Sequence, residues 1–374
     1  MMKNSDNIRI AIVHDFLVDF GGAERVLEVL TEMFPEAPIY TLLYDKEKMR
    51  GRFSKKFVYA SFLQRFPRFL RRRKKWLLPL MAVAPEIFDL RDFDLVISSS
   101  GAWSKGIVTR VNTTHISYIH SPMRFVWDAS SEYLSQQRKS GTMNLFTRLI
   151  LNYIRVWDKV AADRPDFLVA NSKYTQKRIK KYYGRESALI YPPVDVELKN
   201  ENHSNQEKNH FLVVSRLSPY KKIDMVVEAF NKLGLPLVVI GEGQQEKYLR
   251  SIAAKNVQIL GYQTDERIAE YYAGARAFVF AGVDDFGLSP VEAMAHGVPI
   301  LAIRRGGALE IVEEGKTGEF FDAATPEVIA DGVRRLLENE KNYDKQAIAE
   351  SAKRFNKARF IKEFEEYVNK IIIK

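Results

Sequence analysis

The side chains best suited to chemistry are concentrated between residues 283 and 318 of the 374-residue chain. Seven residues separate Asp284 from Glu292, and Ser289-Pro290 predicts a cap and the first turn of a helix that carries Glu292. A helix start attracts anions through its free amides, so a carboxylate placed there is suited to hold hydroxyl groups rather than phosphates. Glycine-rich amides on either side can hold a diphosphate. This combination indicates a pocket for a sugar nucleotide; an ordinary helix between two strands is the alternative.

A pair of cations forms the second candidate. The apolar run Phe211–Leu217 predicts a strand that ends in Ser215 and Arg216, and Lys221 stands five residues after Arg216. An arginine binds phosphate oxygens as a two-pronged fork and a lysine acts as a point charge. Placed at the carboxyl edge of a strand, the pair can clamp a diphosphate without a metal. A surface charge pair is the alternative.

The first half of the chain holds two further candidates. His120 ends the predicted strand His115–His120, and the carboxyl end of such a strand faces the ligand cleft in doubly wound domains. Gly21-Gly22 stands between the predicted strand Ile8–Val13 and the predicted helix Arg25–Phe34. A glycine turn there lets a ligand approach the backbone. A structural histidine and a bare loop are the alternatives.

Strands and helices alternate through the chain, which is the pattern of doubly wound α/β domains. At 374 residues the chain exceeds one comfortable core. The almost wholly polar stretch 197–210 predicts a domain boundary. We therefore expect two Rossmann-like domains facing across a cleft, one at 1–200 and one at 201–356.

These motifs together resemble the retaining glycosyltransferases of family GT4 (group 1), which have the GT-B fold. That family carries an acidic residue, seven spacers and a glutamate, with Phe-Gly inside the spacer. Asp284, Phe286, Gly287 and Glu292 stand at those positions here. The first acid is usually glutamate in the family, and aspartate is one methylene shorter. The arginine–lysine pair also has the family's spacing, and the resemblance covers nearly the whole chain.

The resemblance implies an N-terminal acceptor domain, a C-terminal donor domain and a final helix at about 357–374 that packs back on the first domain. It implies transfer of a hexose from a nucleotide sugar to a hydroxyl, with retention and with no cofactor or metal. The implied catalytic residues are His120, Arg216, Lys221 and Glu292. The implied donor-binding residues are Gly21, Gly22, Ser215, Gly241, Tyr262, Asp284, Phe286, Gly287, Leu288 and Ser289.

The motifs are most similar to those of bacterial O-antigen and polysaccharide mannosyltransferases. This resemblance implies mannose from GDP-mannose as the donor and a glycan or a polyprenyl-diphosphate-linked sugar as the acceptor. Three alternatives stay open: a transferase that uses a UDP-hexose, a non-catalytic GT-B binding partner, and an epimerase or phosphorylase of the same architecture.

Charge and composition restrict the partners. The net charge is +10, and residues 62–81 contain seven basic residues and no acidic one, interleaved with aromatic and aliphatic side chains. Such a segment indicates an anionic membrane surface; a solvated basic helix packed on its own domain is the alternative. No nucleic-acid-binding motif accompanies the charge. The chain has no cysteine, and its first residues lack a secretory signal, so we expect a cytoplasmic protein.

Overall fold

The computed structural model describes residues 8–72, 74–128, 141–196 and 209–372. They form two compact units. The first contains Met1–Tyr191 with Ile361–Lys374, and the second contains Pro192–Phe360. The predicted boundary at residue 200 falls in 197–208, outside the described residues, and stays a prediction.

The first unit is built on a seven-stranded parallel sheet. Its strands are β1 (Ile10–Leu17), β2 (Ile39–Tyr44), β3 (Val58–Ala60), β4 (Leu95–Ser100), β5 (Thr114–Ile119), β6 (Phe167–Ala170) and β7 (Ala188–Leu189). They lie in the order β3-β2-β1-β4-β5-β6-β7. All six residues of β4 are buried, as expected for a central strand of a parallel sheet that is covered on both faces.

The helices of the first unit differ widely in length. They are α1 (Gly22–Met33), α2 (Arg68–Arg72), α3 (Leu78–Met81), α4 (Arg124–Trp127), α5 (Gly141–Ala161) and α6 (Lys173–Tyr183). Local signals in the sequence fix α6. The Ser172 hydroxyl accepts a hydrogen bond from the Thr175 amide at its start, and Gly184 ends it with a φ of 69°.

The second unit repeats the plan with six parallel strands. They are β8 (His210–Val214), β9 (Leu237–Ile240), β10 (Val257–Gly261), β11 (Ala275–Phe280), β12 (Ile300–Ile303) and β13 (Gly318–Phe321). The order is β10-β9-β8-β11-β12-β13. The helices are α7 (Ile223–Leu233), α8 (Glu246–Ile252), α9 (Asp265–Ala273), α10 (Leu288–Ala295), α11 (Ala308–Ile311), α12 (Pro326–Glu338) and α13 (Lys345–Ala352). The last helix, α14 (Lys357–Ile372), ends in the first unit, where the Phe364 ring lies 6.4 Å from the Tyr118 ring.

Both sheets therefore have the doubly wound topology, and the prediction of two Rossmann-like domains is confirmed. In each sheet the strand order reverses once, between β1 and β4 and between β8 and β11. Ligands of open parallel sheets bind at the carboxyl ends of the strands beside this reversal. The loops that follow these four strands are consequently where the site residues should lie.

Two local expectations need correction: the basic helix that was the alternative for residues 62–81, and the cap of the helix that carries Glu292. Residues 62–81 form no continuous helix, because Pro67 and Pro79 break the segment into short turns, and Arg73 lies outside the described residues. The cap of α10 is Gly287 rather than Ser289.

Candidate active site

The loop after β8 carries Ser215 and Arg216, and the loop after β9 holds it in place. The Leu217 amide donates to the Glu242 carbonyl at 2.9 Å. A Cβ on Gly241 would lie 1.9 Å from the Ser215 carbonyl oxygen, and one on Gly243 would lie 2.3 Å from the Leu217 carbonyl oxygen. Gly241 also has a φ of 135°. These two glycines let the loops pack closely, which leaves the Arg216 side chain exposed at the strand end.

Lys221 and Asp284 form an ion pair, although they are 63 positions apart in sequence. Their side chains are only 15% and 16% exposed, so water screens the pair less than it screens a surface pair. Gly282 makes the approach possible, since a Cβ there would lie 2.9 Å from the Lys221 Cα atom. A small cavity beside the pair is lined by Ser215, Lys221, Phe280 and Gly282 among others.

Glu292 lies in α10, which begins directly after Gly287. The Tyr272 hydroxyl is 3.1 Å from Glu292 Oε2 and 3.3 Å from the Ser289 carbonyl oxygen. Tyr272 is 2% exposed, so this hydroxyl is a buried support for the carboxylate. Sequence reasoning missed Tyr272, because it lies in α9 and no local motif connects it to Glu292.

The Gly306-Gly307 loop supports the backbone of the acidic turn. The Gly307 amide donates to the Asp284 carbonyl at 2.9 Å, and a Cβ on Gly307 would lie 2.2 Å from the Phe286 carbonyl oxygen. The Phe286 ring is 3% exposed and packs edge-on against Phe355, with centroids 5.2 Å apart. Phe286 is therefore a core residue that anchors the turn with its ring.

Two further predicted donor-binding residues, Leu288 and Tyr262, lie in the second unit. Leu288 is half-buried in the first turn of α10. Tyr262 is 46% exposed and follows the edge strand β10, which β9 separates from β8. The structure thus joins Lys221 with Asp284 directly and leaves Tyr262 two strands away.

In the first unit, His120 follows β5 and is linked to the glycine turn by a chain of hydrogen bonds. His120 Nε2 is 2.7 Å from Ser99 Oγ, which is 3.1 Å from His14 Nδ1. His14 Nε2 is 3.3 Å from Glu24 Oε1, and Glu24 Oε2 accepts from the Gly21 amide at 2.8 Å. Two residues singled out from sequence, His120 and Gly21, are therefore the ends of one network.

Asp15 is the second polar residue of β1 that sequence reasoning missed. It is 8% exposed. Its carboxylate accepts three hydrogen bonds, from the amides of Gly101, Trp103 and Ser104 at 2.7, 2.8 and 2.6 Å. A Cβ on Gly101 would lie 4.0 Å from the His120 Cβ. Asp15 thereby fixes the loop after β4 beside His120.

The two units thus offer different chemistry. The second presents two cations and two carboxylates suited to a diphosphate and sugar hydroxyls, and the first presents an oriented imidazole. Among the described residues, no group of three or more His, Cys, Asp or Glu side chains is arranged to hold a metal ion. Within the same ranges, no helix is both long enough and apolar enough to cross a bilayer.

Two family profiles match the chain in succession. "Glycosyltransferase Family 4" matches residues 20–198, and "Glycosyl transferases group 1" matches residues 195–355. Together the matches span residues 20–355. The chain belongs to the group 1 glycosyltransferases, family GT4, with the GT-B fold.

Curated relatives agree with this assignment. The chain is 30% identical over 205 residues to a GDP-mannose-dependent α-(1-6)-phosphatidylinositol monomannoside mannosyltransferase of Mycobacterium tuberculosis, covering 47% of this chain and 53% of that protein. An uncharacterized glycosyltransferase of Methanocaldococcus jannaschii is 25% identical over 208 residues, covering 54% and 58%. The chain thus spans a little over half the length of these two relatives. The yeast α-1,3/1,6-mannosyltransferase ALG2 aligns over 100% of this chain and 87% of its own length at 23% identity.

Solved structures support the fold. A sucrose-phosphate synthase from Thermosynechococcus elongatus has a TM-score of 0.73 at 17% identity, covering 97% of this chain and 99% of its own. Anabaena HepE, solved with UDP-glucose, has a TM-score of 0.71 at 19% identity, covering 97% and 100%. At such identities the likeness shows the fold alone.

Proposed function

We propose that the chain is a retaining hexosyltransferase that moves mannose from GDP-mannose to a hydroxyl of a glycan or lipid-linked acceptor in cell-surface polysaccharide synthesis. The main observation in support of transferase activity is the charged edge of the second unit. There Lys221 meets Asp284, and Arg216 is exposed at the end of β8. The mycobacterial relative, which is named as GDP-mannose-dependent, supports the choice of donor.

In the proposed reaction the bond between the anomeric carbon and the phosphate oxygen breaks, and its electron pair stays on the departing diphosphate. Arg216 and Lys221 stabilise that charge. The acceptor oxygen bonds to the anomeric carbon from the same face, and its proton passes to the diphosphate oxygen. Glu292 holds sugar hydroxyls and His120 orients the hexose. Neither a metal nor a cofactor is required.

The ion pair of Lys221 is compatible with this role. An ammonium group has three hydrogens to donate. Lys221 can therefore keep its contact with Asp284 and still donate to a diphosphate oxygen. The pair also holds the lysine in position before the donor arrives, which reduces the ordering that binding must impose.

A UDP-hexose is the second candidate donor, because the structurally similar HepE was solved with UDP-glucose. A thermal-shift panel of GDP, UDP, ADP and their hexose derivatives separates the two, since a ligand that binds the folded state raises its melting temperature. We expect GDP and GDP-mannose to stabilise the protein in the presence of EDTA. Stabilisation by UDP ligands alone would overturn the donor, and loss of stabilisation in EDTA would overturn metal independence.

Catalysis is tested separately from binding. Incubation with GDP-mannose and a polyprenyl-diphosphate-linked sugar should release GDP and extend the acceptor. A non-catalytic binding partner would bind the nucleotide sugar and leave both unchanged. An epimerase would convert the donor without an acceptor, and a phosphorylase would require orthophosphate or a pyridoxal cofactor.

We further propose that the first unit binds an anionic membrane, which would place the enzyme at the cytoplasmic face of the cell membrane. In the basic segment, residues 62–81, Phe69 and Trp76 are 62% and 69% exposed. Leu63 and Leu77 of the same segment are buried in a hydrophobic cluster. Helix α5 buries Leu151 and Ile154 in the same cluster. It also carries a stripe of exposed apolar residues at Leu145, Leu149, Tyr153, Val156 and Val160.

The charges favour lipid over a second copy of this chain as the partner. The single acid of α5, Asp158, is fully buried in an ion pair, whereas Arg148 is exposed beside the apolar stripe. Two copies of a cationic face would repel each other in a two-fold dimer. An anionic bilayer accepts both the apolar side chains and the cations.

A further inference from the structure

The arginines of the second unit divide into two groups by what their side chains contact. Most donate hydrogen bonds to acids or to backbone carbonyl groups: Arg250, Arg267, Arg276, Arg304, Arg335, Arg354 and Arg359. Arg216, Arg305 and Arg334 are exposed, and their side chains make no hydrogen bond, ion pair or ring contact with another described residue. Their five N–H donors are therefore available to a ligand.

Position separates these three arginines. Arg334 lies within α12, whereas Arg216 and Arg305 follow the last residues of β8 and β12. The sheet is parallel, so both strands end at the same edge, and β11 lies between them. Neighbouring strands are about 4.8 Å apart, so the ends of β8 and β12 are about 10 Å apart, a span that two long side chains can bridge. The two arginines thus flank the turn after β11, which carries Asp284.

The backbone around Arg305 is fixed against this turn. The Arg305 amide donates to the Ile303 carbonyl at 2.7 Å, in a tight turn that ends β12. A Cβ on Gly306 would lie 2.5 Å from the Asp284 carbonyl oxygen, and the Gly307 amide donates to that oxygen at 2.9 Å. Gly306 has a φ of 68°, which favours glycine. The loop therefore holds Arg305 beside the acidic turn while its side chain stays exposed.

The preceding residue, Arg304, has a different role. Its guanidinium donates to Glu314 Oε1 at 2.5 Å and to Asp322 Oδ1 at 3.0 Å, and it lies 4.8 Å from the centroid of the Phe320 ring. These contacts connect the end of β12 to β13 and the loops beside it. Arg305 makes none of them, so the structure of the unit accounts for Arg304 and not for Arg305.

The charges of the site favour a further cation. Lys221 and Asp284 cancel each other in their ion pair, so of the two cations already assigned to the site only Arg216 is uncompensated. A diphosphate ester carries two negative charges. Arg305 would supply the second positive charge, and a guanidinium binds phosphate oxygens through two parallel hydrogen bonds.

We propose that Arg305 is a phosphate-binding residue of the second unit and acts together with Arg216. The source of the phosphate rests on the proposed function, because both the nucleotide-sugar donor and a polyprenyl-diphosphate-linked acceptor present a diphosphate. The identity of the transferred sugar does not enter, so the phosphate site can be tested by binding alone.

The test is calorimetric titration of the full chain with GDP. Arg305→Gln should weaken GDP binding by about 10- to 100-fold, the loss of charge-assisted hydrogen bonds. Arg305→Lys should lose less, because it keeps the charge but not the fork. Arg304→Gln and Arg334→Gln each remove one positive charge from the same unit and should bind GDP like the wild type. Melting temperatures without ligand report whether each variant is folded.

A second titration, with the polyprenyl-diphosphate-linked sugar and with the same sugar lacking the diphosphate, separates the two sources. Weaker binding of GDP by Arg305→Gln assigns the phosphate to the donor. Unchanged GDP binding, with weaker binding of the acceptor only when it carries the diphosphate, assigns it to the acceptor. Unchanged binding of both ligands would overturn the proposal, and so would equal losses in all three glutamine variants, which would reflect net charge alone.

Failure of the proposed function gives a different result. A wild-type protein that binds GDP but transfers no mannose would contradict the transferase, while weaker GDP binding by Arg305→Gln would still support the phosphate site. Mannose transfer by the wild type, with Arg305→Gln unchanged in both titrations, would keep the transferase and exclude Arg305 from it.

Discussion

The two units share one strand order but differ in what they expose. Of the exposed large hydrophobic side chains among the described residues, fifteen lie in the first unit and only four in the second. The four are Tyr220, Tyr248, Tyr262 and Leu309. The second unit encloses its apolar surface and presents polar groups at the strand ends, whereas the first keeps a large apolar exterior.

The buried polar and charged side chains of the described residues are also concentrated in the first unit. In the first unit, Lys105 and Asp158 form an ion pair with side chains 1% and 0% exposed. In the second, the Lys221–Asp284 pair stays partly open to solvent. The same topology is thus adapted to two tasks. We infer that the second unit keeps its charges accessible for a small anionic ligand, while the first uses its charges internally and offers apolar surface to a larger partner.

Removing the buried carboxylate tests the internal role of the first unit's charges and should have the largest effect. Asp158 contacts Lys105 at 2.5 Å and accepts from Trp127 Nε1 at 2.7 Å and Tyr183 at 2.9 Å. Asp158→Ala leaves Lys105 charged and unpaired, so we expect a loss of about 3–5 kcal/mol of unfolding free energy. Denaturant unfolding measures it.

The exposed pair formed by Lys159 and Asp163 provides the control for Asp158. Asp163→Ala should cost only about 0.5 kcal/mol, because an exposed i,i+4 pair is weak. Equal losses in Asp158→Ala and Asp163→Ala would contradict the assignment of the buried pair as a structural anchor.

The corresponding test in the second unit concerns activity instead of stability. Lys221→Ala and Glu292→Ala should each lower kcat by about 10²–10³-fold, the usual effect of removing one preorganised charge stabiliser, with melting temperatures close to that of the wild type. Lys232→Ala removes a lysine of the same unit from an exposed pair with Glu327 and should keep full activity. Full activity in Lys221→Ala or Glu292→Ala would defeat the proposed site.

Burial of histidines gives a pH test of the same contrast. Burial, together with a smaller effect of the positive charge of Arg185, lowers the pKa of His115 in the first unit to about 3. His115 therefore takes up a proton near pH 6.5 in the unfolded chain but not in the folded chain. Its contribution to the unfolding free energy is fully present above pH 6.5 and is lost as the pH drops towards 3. Between pH 7 and pH 5 this group alone lowers the unfolding free energy by about 2 kcal/mol.

His115→Gln should remove that part of the pH dependence. In the second unit, partial burial lowers the pKa of His210, while a hydrogen bond to the Tyr271 carbonyl opposes the shift. His210→Gln should therefore flatten the stability profile less than His115→Gln does. A profile of His115→Gln parallel to that of the wild type would show that His115 is not the group responsible.

The sequence was most informative where local signals act alone. Apolar runs predict central strands: the predicted strands His115–His120 and Phe211–Leu217 overlap β5 and β8. The spacing of Asp284 and Glu292 identified the charged edge of the second unit, because both flank one helix start. Short elements such as β3 and β7 escaped prediction, since their few residues gain stability only from the neighbouring strands.

Contacts between distant segments could not be predicted from one sequence. The Glu24–His14–Ser99–His120 chain depends on the pairing of β1 with β4, which joins residues 85 positions apart. Tyr272 likewise reaches Glu292 from a separate helix. The basic segment was recognised by composition, but its breaks and the apolar stripe of α5 required the fold.

The exterior of the first unit can be tested with vesicles of phosphatidylcholine, with and without phosphatidylglycerol. Replacing Phe69 and Trp76 together by serine should weaken binding to the anionic vesicles by about tenfold, since it removes two exposed apolar anchors. Added salt should weaken the binding of wild type and variant alike, because it screens the basic segment. Tyr248→Ser, on the second unit, should bind like the wild type. Equal binding of all three proteins to the anionic vesicles would contradict the assignment of Phe69 and Trp76 as membrane anchors.

The smallest effect concerns the length of the acidic side chain at 284. Asp284→Glu lengthens the carboxylate by one methylene, and the flexible Lys221 side chain can retract to keep the ion pair. We expect kcat within about tenfold of the wild type, whereas Asp284→Asn, which keeps the shape but removes the charge, should lose more. The order of the two variants decides what the position contributes. If Asp284→Asn is the more active variant, the position requires the shape of the side chain and not its charge. The ion pair with Asp284 would then not be what positions Lys221.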